Sequence, residues 1–240
     1  MIEKKIHGVW LGRMKPSTVE ERIANWKEVC PDYEIIIWSE DNFDINKNLF
    51  CKQAFEKKKW AFASDYIRLN VLYNHGGIYL DSDVEVLQPF DKFLHLSAFV
   101  GFEDDRLIST AVIGAEKGHT LIKKLLEYYE NRSFILPNNK LNCQANPIIF
   151  SKIVKNNYPK FEHNNTLQHF DCFTIFPRDY FSPISVDTKK INKTKNTHTI
   201  HHFEGSWLKN KPINRKLIQV YKRIVGEKIA TYIRSKLTGV

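Results

Sequence analysis

The residues best suited to chemistry in this chain are two aspartates, Asp81 and Asp83, separated by one serine. Two carboxylates two positions apart on an extended backbone point to the same side, so both reach into the same space. Such a pair repels itself unless a cation lies between the groups, and Mg²⁺ or Mn²⁺ prefers these oxygens and those of a diphosphate. The tripeptide predicts a metal–diphosphate site; the alternative for so short a motif is a solvated turn.

The sequence before the aspartates predicts the elements that position them. Apolar residues recur at near-helical spacing over residues 61–73, and Asp65 and Arg68, three apart, project from one face of that helix. Gly76 and Gly77 predict its end, because glycine tolerates the backbone of a C-terminal cap. Residues 78–80 form a short apolar run typical of a buried strand, and ligands of open α/β sheets bind where such strands end.

These residues together resemble the signature of the DxD sugar transferases of glycosyltransferase family 32. The resemblance reaches from the N-terminus to about Trp207, and its motifs are Ala63-Ser64-Asp65, Arg68, Gly76-Gly77-Ile78-Tyr79 and Leu80-Asp81-Ser82-Asp83. It implies a GT-A fold, which is an α/β, Rossmann-like nucleotide-sugar-binding domain with a mostly parallel sheet. It also implies a nucleotide-sugar donor, Mn²⁺ or Mg²⁺ as cofactor, and retention of anomeric configuration.

The resemblance also implies roles for individual residues. Asp83 is expected to ligate the metal directly, and Asp81 to bind the donor and the shell of the metal. The catalytic set is Asp65, Arg68, Asp81 and Asp83. The donor-binding set is Trp10, Ser64, Asp65, Arg68, Tyr79, Asp81, Ser109 and Trp207, with Thr110 as an alternative to Ser109, and Gln144 and Asn146 are placed near the acceptor. Trp10 is expected to stack on the nucleotide base, with a core tryptophan as the alternative.

The segment TIHHFEGSW, residues 199–207, resembles the C-terminal motif of the same family. A ligand from this region completes the metal shell in GT-A enzymes. In relatives a histidine or an acid lies about five residues before the tryptophan, so the resemblance implies His202, with His201 on the other face of the strand. A neutral imidazole is a competent ligand for Mn²⁺. Ser206 is expected to add an oxygen ligand, and Trp207 to close over the leaving diphosphate.

Composition indicates a folded globular chain: 240 residues, 42% hydrophobic and 13% aromatic. A run of 18 apolar residues is absent from the sequence, and residues 1–12 lack the apolar segment of a secretory signal. Cys30, Cys51, Cys143 and Cys172 lie far apart without a CxxC spacing, which favours reduced, mostly buried thiols. A cytoplasmic protein is expected, with peripheral attachment to the inner face of the cell membrane as an option.

The positive charge is concentrated at the C-terminal end. Of a net charge of +9, residues 206–240 supply nine basic residues and one acid, Glu227, or 9 − 1 = +8. Apolar residues there follow helical spacing with a break near Gly226, so residues 208–240 are predicted to form a basic amphipathic helical extension to a catalytic domain of residues 1–207. Its apolar face is expected either to contact an anionic membrane or to pack on the domain.

The combined patterns favour a transferase that moves sugar from a nucleotide-sugar, with a UDP-sugar as the first choice, to a glycan or lipid-linked saccharide. Bacterial surface polysaccharide synthesis, as in capsule or lipopolysaccharide assembly, is the expected setting, and no nucleic-acid partner is expected. Two alternatives remain open at this point. The basic tail alone suits an adaptor for membrane or nucleic acid, and the carboxylates alone suit a metal-dependent phosphohydrolase.

Overall fold

The computed structural model describes residues 1–12, 14–185, 188 and 190–204. The strands in this part of the chain are β1 (Lys5–Val9), β2 (Glu34–Trp38), β3 (Gly77–Leu80), β4 (Val84–Val86), β5 (Ala98–Phe102), β6 (Ile108–Ala115), β7 (Gln168–Phe170), β8 (Phe173–Phe176) and β9 (Thr199–His201). The α-helices are α1 (Ser17–Val29), α2 (Leu49–Glu56), α3 (Trp60–His75), α4 (Thr120–Glu130), α5 (Asn146–Asn157) and α6 (Arg178–Phe181). Short 3₁₀ turns occupy Ile45–Lys47 and Asp91–Phe93.

Seven strands form one sheet in the order β2-β1-β3-β6-β5-β8-β7, and β4 pairs with β9 in a separate two-stranded ribbon. Strand β1 is parallel to β2 and β3, and β5 is parallel to β8, while β6 and β7 run the opposite way. Strands β1 and β2 and the helix α1 between them therefore form a parallel strand–helix–strand unit. An α/β domain with a mostly parallel sheet, the architecture expected of a GT-A enzyme, is confirmed.

The side chains of β3 alternate between the two faces of the sheet. Ile78 and Leu80 pack in the core on the α1 side, whereas Tyr79 packs in the core on the side of α2, α3 and α4. This alternation follows from the period of two in an extended strand. Asp81, two residues beyond Tyr79, is thereby directed toward α3, the helix that carries Asp65 and Arg68.

Helix α3 ends where the glycine pair predicted. The N–H of Gly76 donates to the carbonyl of Leu72 over 2.8 Å, and Gly76 and Gly77 both have positive φ, at 65° and 97°. A Cβ on Gly77 would lie 2.8 Å from the carbonyl oxygen of Lys5, so β3 could not lie this close to β1 with any other residue there. The close approach aligns β3, and with it Asp81, beside the first strand.

Helix α1 has Pro16 as its N-cap, and no side chain caps it. All four cysteines are free, and Cys30 and Cys51 are buried, whereas Cys143 is exposed and Cys172 intermediate. Among the described residues, no helix combines the length and the apolar character needed to cross a membrane. The predicted extension 208–240, and the boundary at residue 207, lie outside the described residues.

Candidate active site

Asp81 is fixed at the end of β3 by three contacts. Its backbone N–H donates to the carbonyl of Ala111 on β6 over 2.9 Å. Its carboxylate Oδ1 accepts a 2.8 Å hydrogen bond from the hydroxyl of Tyr79 and lies 3.1 Å from Nη1 of Arg68. Tyr79 was expected to contact the donor, but it is buried, so its role in the structure is to support Asp81.

Arg68 is a buried cation shared by two acids. Its Nη2 lies 2.9 Å from Asp65 Oδ1, its Nη1 lies 3.1 Å from Asp81 Oδ1, and Nη1 also donates to the carbonyl of Thr110 over 2.7 Å. Nη2 donates to the Ser64 hydroxyl over 3.3 Å. Burial opposes the charge, yet the two carboxylates raise the pKa of Arg68, so it stays protonated. The predicted grouping of Ser64, Asp65, Arg68 and Asp81 is present in the structure.

Asp65 is the buried acid beside Arg68. Burial raises its pKa to about 7, against the opposing charge of Arg68. The amide of Asn146, at the start of α5, donates to Asp65 Oδ1 over 3.2 Å, and the hydroxyl of Tyr129 donates to Asn146 Oδ1 over 3.2 Å. Asn146 was expected at the acceptor. The structure instead places it as the partner that holds Asp65, through a contact from α5 that the sequence does not reveal.

Asp83 is held by the β4–β9 ribbon. The backbone N–H of Glu204 donates to its Oδ2 over 3.0 Å, and Nε2 of His201 lies 3.3 Å from its Oδ1. Burial opposes ionisation of both groups, but their mutual interaction lowers the pKa of Asp83 to about 2 and raises the pKa of His201. Nδ1 of His201 is buried and has no hydrogen-bond partner among the described residues.

His201, and not the predicted His202, is the histidine beside the aspartates. Antiparallel pairing places His201 opposite Val84, next to Asp83, while Nε2 of His202 lies 2.8 Å from Oε2 of Glu85. Arg22 of α1 contacts the same Glu85 oxygen at 3.6 Å. The prediction of His202, made from its distance to the tryptophan, is therefore corrected to His201. The pairing of β9 with β4 determines which imidazole lies beside Asp83, and spacing in the sequence cannot show that pairing.

The donor atoms of Asp81, Asp83 and His201 fit a divalent cation. One ligand atom from each of the three lies within 4.8 Å of the others. Two carboxylates and an imidazole are the ligand types that Mn²⁺ accepts, and Mg²⁺ takes the carboxylates. Ser206 and Trp207, expected as further ligand and lid, lie outside the described residues.

A cavity of about 400 Å³ opens beside the carboxyl ends of β1 and β2. Its lining residues are Trp10, Gly12, Lys15, Ser39, Glu40 and Asp41. The indole of Trp10 is only partly buried and donates to the carbonyl of Met14 over 3.2 Å. The core alternative for Trp10 is therefore wrong, because its ring belongs to the wall of an open cavity large enough for a nucleoside.

Two further predicted residues lie outside the cluster around Asp81. Ser109 is 1% exposed and its hydroxyl accepts from the N–H of Ala111 over 3.2 Å, so it is turned into the sheet. Its neighbour Thr110 reaches the site through a backbone carbonyl, a role that no side-chain pattern signals. Gln144 lies at the surface, where Tyr128 donates to its amide oxygen over 3.2 Å.

Comparison with known proteins finds a family model that matches part of this chain. Residues 16–100 match the family model described as "Glycosyltransferase sugar-binding region containing DXD motif". That range contains Asp65, Arg68, Asp81 and Asp83, while His201 lies beyond it. The match thus covers the half of the site built by α3 and β3.

Similar proteins include "Subversion of eukaryotic traffic protein A" of Legionella pneumophila, 28% identical over 162 residues, with 54% of this chain and 25% of that protein covered. Another is "Inositol phosphoceramide mannosyltransferase 3" of Schizosaccharomyces pombe, 29% identical over 133 residues, with 52% and 36% covered. The chain thus spans about a quarter to a third of the length of these relatives.

Among solved structures, "PaToxG Glycosyltransferase" is similar with a TM-score of 0.48 and 21% identity, covering 66% of this chain and 70% of that one. The family match and the geometry around Asp81 and Arg68 agree on the same residues. Residues 16–100 therefore match the sugar-binding region of the DXD-motif glycosyltransferases, and the resemblance drawn from the sequence is confirmed.

Proposed function

We propose that this chain transfers a sugar from a nucleotide-sugar donor to a glycan or a lipid-linked saccharide, with a divalent metal bound and with retention of configuration. One observation carries the proposal. Asp81, Asp83 and His201 bring their ligand atoms within 4.8 Å of one another, directly beside the buried Asp65–Arg68 pair. A cation site next to a charged hydrogen-bonding pair suits a donor whose diphosphate and sugar must be held together.

Asp83 and His201 would bind Mn²⁺ or Mg²⁺ directly, with Asp81 completing the protein ligands. When bound, the metal neutralises the charge that develops on the leaving diphosphate. The protein contributes by holding the metal ligands in fixed positions. Tyr79 and Arg68 both hold Oδ1 of Asp81, so that carboxylate cannot rotate away from the position it needs.

Asp65 and Arg68 would hold the donor sugar. Asn146 and Arg68 both contact Oδ1 of Asp65, and we assign its other oxygen, Oδ2, to a sugar hydroxyl. Because the pair is buried, its hydrogen bonds to a sugar are formed out of competition with water, which strengthens them. The pair orients the anomeric carbon relative to the diphosphate, and this positioning is its contribution to catalysis.

The nucleoside would occupy the cavity lined by Trp10, with its base against the indole. A UDP-sugar is our first choice of donor, and a nucleotide-linked mannose is the second, because a relative is named as a mannosyltransferase. We place the reaction in bacterial surface polysaccharide synthesis at the cytoplasmic face of the membrane. The net charge of +8 over residues 206–240 supports attachment of that tail to anionic lipid.

Incubation of the full chain with a panel of UDP-sugars and GDP-mannose, with and without Mn²⁺, tests the proposal. We expect slow release of free sugar and nucleoside diphosphate from one donor, only in the presence of metal, and complete loss with EDTA. Proton NMR of the first-formed sugar should show the anomer of the donor. Release of inorganic phosphate without free sugar would contradict the proposal and would indicate a phosphohydrolase.

A further inference from the structure

A basic and aromatic surface connects α2 to α3. It consists of Lys57, Lys58, Lys59 and Trp60, and we refer to it as the Lys57–Trp60 surface. Trp60 is 40% exposed, and Lys57 and Lys58 are exposed as well. A tryptophan left this accessible forgoes a large gain from burial, and it is the residue type that lipid–water interfaces accommodate best.

The lysines of this surface carry uncompensated charge. Residues 51–64 contain four lysines and one acid, Glu56. None of Lys57, Lys58 and Lys59 forms an ion pair within the described part of the chain. The surface thus presents three ammonium groups beside an indole, a composition complementary to an anionic surface with an apolar layer beneath it.

The fold does not need lysines at these positions. The turn is held by backbone bonds alone, from Lys58 N–H to the carbonyl of Phe55 and from Lys59 N–H to the carbonyl of Ala54, both 2.8 Å long. Lys58 has a φ of 54°, a conformation that glycine adopts at much lower cost. The turn therefore does not depend on the Lys58 side chain, which is left available at the surface.

The surface also adjoins the candidate active site. Trp60 lies four and eight residues before Ser64 and Arg68, so the three share one face of α3. Its indole packs against Gly12, where an added Cβ would lie 2.8 Å from the ring. Gly12 in turn lines the cavity that contains Trp10. Whatever the Lys57–Trp60 surface contacts is therefore held at the rim of that cavity.

We infer that the Lys57–Trp60 surface docks on an anionic lipid bilayer, with the lysines at the headgroups and Trp60 at the boundary with the acyl chains. Docking there presents the rim of the active site to the membrane, where a lipid-linked acceptor is found; this last step rests on the proposed function. These four residues lie in a different stretch of the sequence from the basic residues 206–240.

Co-sedimentation of the full chain with vesicles of equimolar phosphatidylcholine and phosphatidylglycerol tests the inference. The triple variant Lys57→Gln, Lys58→Gln, Lys59→Gln is compared with Lys123→Gln, Lys124→Gln, Lys152→Gln. The control removes three exposed lysines elsewhere on the chain, so both proteins lose the same net charge. We expect the first triple to weaken vesicle binding at least about tenfold more than the control triple. Trp60→Ala should weaken binding more than Leu167→Ala, a control at a side chain that is 46% exposed elsewhere.

Equal losses in the two triple variants would overturn the inference, because binding would then follow net charge or the tail alone. Unchanged vesicle binding by Trp60→Ala, together with weaker use of a soluble saccharide acceptor, would also overturn it and would make the surface a glycan site. Donor hydrolysis is measured on the same samples. Its absence in the wild type would count against the proposed function, whereas vesicle binding tests the surface on its own.

Discussion

Two acid–histidine pairs lie next to each other at the β4–β9 ribbon, and one of them, Asp83 with His201, adjoins Asp81. Asp83 faces His201 at 3.3 Å, and Glu85 faces His202 at 2.8 Å. The two pairs have similar chemistry and nearly the same position in sequence. They differ in their surroundings, since the side chains of Asp83 and His201 are 18% and 11% exposed, against 29% and 27% for Glu85 and His202.

The neighbouring charges explain why one pair suits a metal and the other does not. Glu85 already has a cation, because Arg22 contacts it at 3.6 Å. Asp83 instead shares its space with Asp81, whose arginine is also shared with Asp65. Arg68 is divided between Asp65 and Asp81, and Asp83 faces the His201 imidazole, so a divalent cation between Asp81 and Asp83 would compensate the negative charge of the two carboxylates. The comparison teaches that the local charge balance, more than the residue types, distinguishes the candidate ligand pair.

The largest difference between the pairs should appear in turnover. Asp83→Ala removes a metal ligand at the leaving diphosphate, so we expect kcat to fall by about 10³-fold or more. Glu85→Ala, the matched change in the other pair, should leave most of the activity. Steady-state rates in saturating Mn²⁺ measure both, with circular dichroism to confirm folding. Near-wild-type turnover by Asp83→Ala would contradict the assignment of the site.

Metal affinity should also differ between variants of the two histidines, His201 and His202. His201→Gln should weaken Mn²⁺ binding by about 10- to 100-fold, because it removes a ligand, while His202→Gln should change it little. Titration calorimetry with Mn²⁺ and nucleoside diphosphate gives both constants. The reverse ranking would restore His202, the residue selected by sequence spacing, as the metal ligand.

A third test separates binding of the donor sugar from binding of the nucleotide. Asp65→Asn and Arg68→Ala should weaken binding of intact donor by about tenfold more than binding of nucleoside diphosphate, since they lose hydrogen bonds to the sugar. Trp10→Ala should weaken both ligands equally, because it contacts the base. Calorimetry with the two ligands measures the difference. Equal losses for donor and diphosphate in Asp65→Asn would move Asp65 out of the sugar site.

The smallest expected effect is on the stability of the metal-free protein as pH changes. Asp83 stabilises the fold above its unfolded pKa of 3.8, and this contribution is lost as pH falls through its folded pKa of about 2. The raised pKa of His201 has the opposite sign: its contribution is fully present below 6.5 and is lost as pH rises through the folded pKa.

Thermal melting with EDTA should therefore show Tm falling by about 2–4 °C as pH rises past the His201 pKa. His201→Gln should lack this step, and His202→Gln should keep it. If the step persists in His201→Gln, the contact between His201 and Asp83 does not carry the stability assigned to it.

Local patterns in the sequence predicted the part of the site that lies on one continuous stretch. Asp65, Arg68 and Asp81 follow from helical spacing, a glycine stop and a short strand, because the chain between them has few ways to fold. Asn146 and His201 approach from elements more than sixty residues away along the chain, and their contacts depend on how α5 and β9 pack. No periodicity in the sequence encodes that packing. For this reason Asn146 was assigned to the acceptor, and His202 was chosen in place of His201.

Anomalous X-ray scattering from a crystal of the protein with Mn²⁺ and nucleoside diphosphate tests the central claim most directly. Data collected at the manganese edge locate the ion independently of any assumption about its ligands. The structure predicts one peak within bonding distance of Asp83 and His201, on the side facing Asp81. A peak beside Glu85 and His202, or none near either aspartate in crystals that contain the nucleotide, would contradict the metal site and the mechanism built on it.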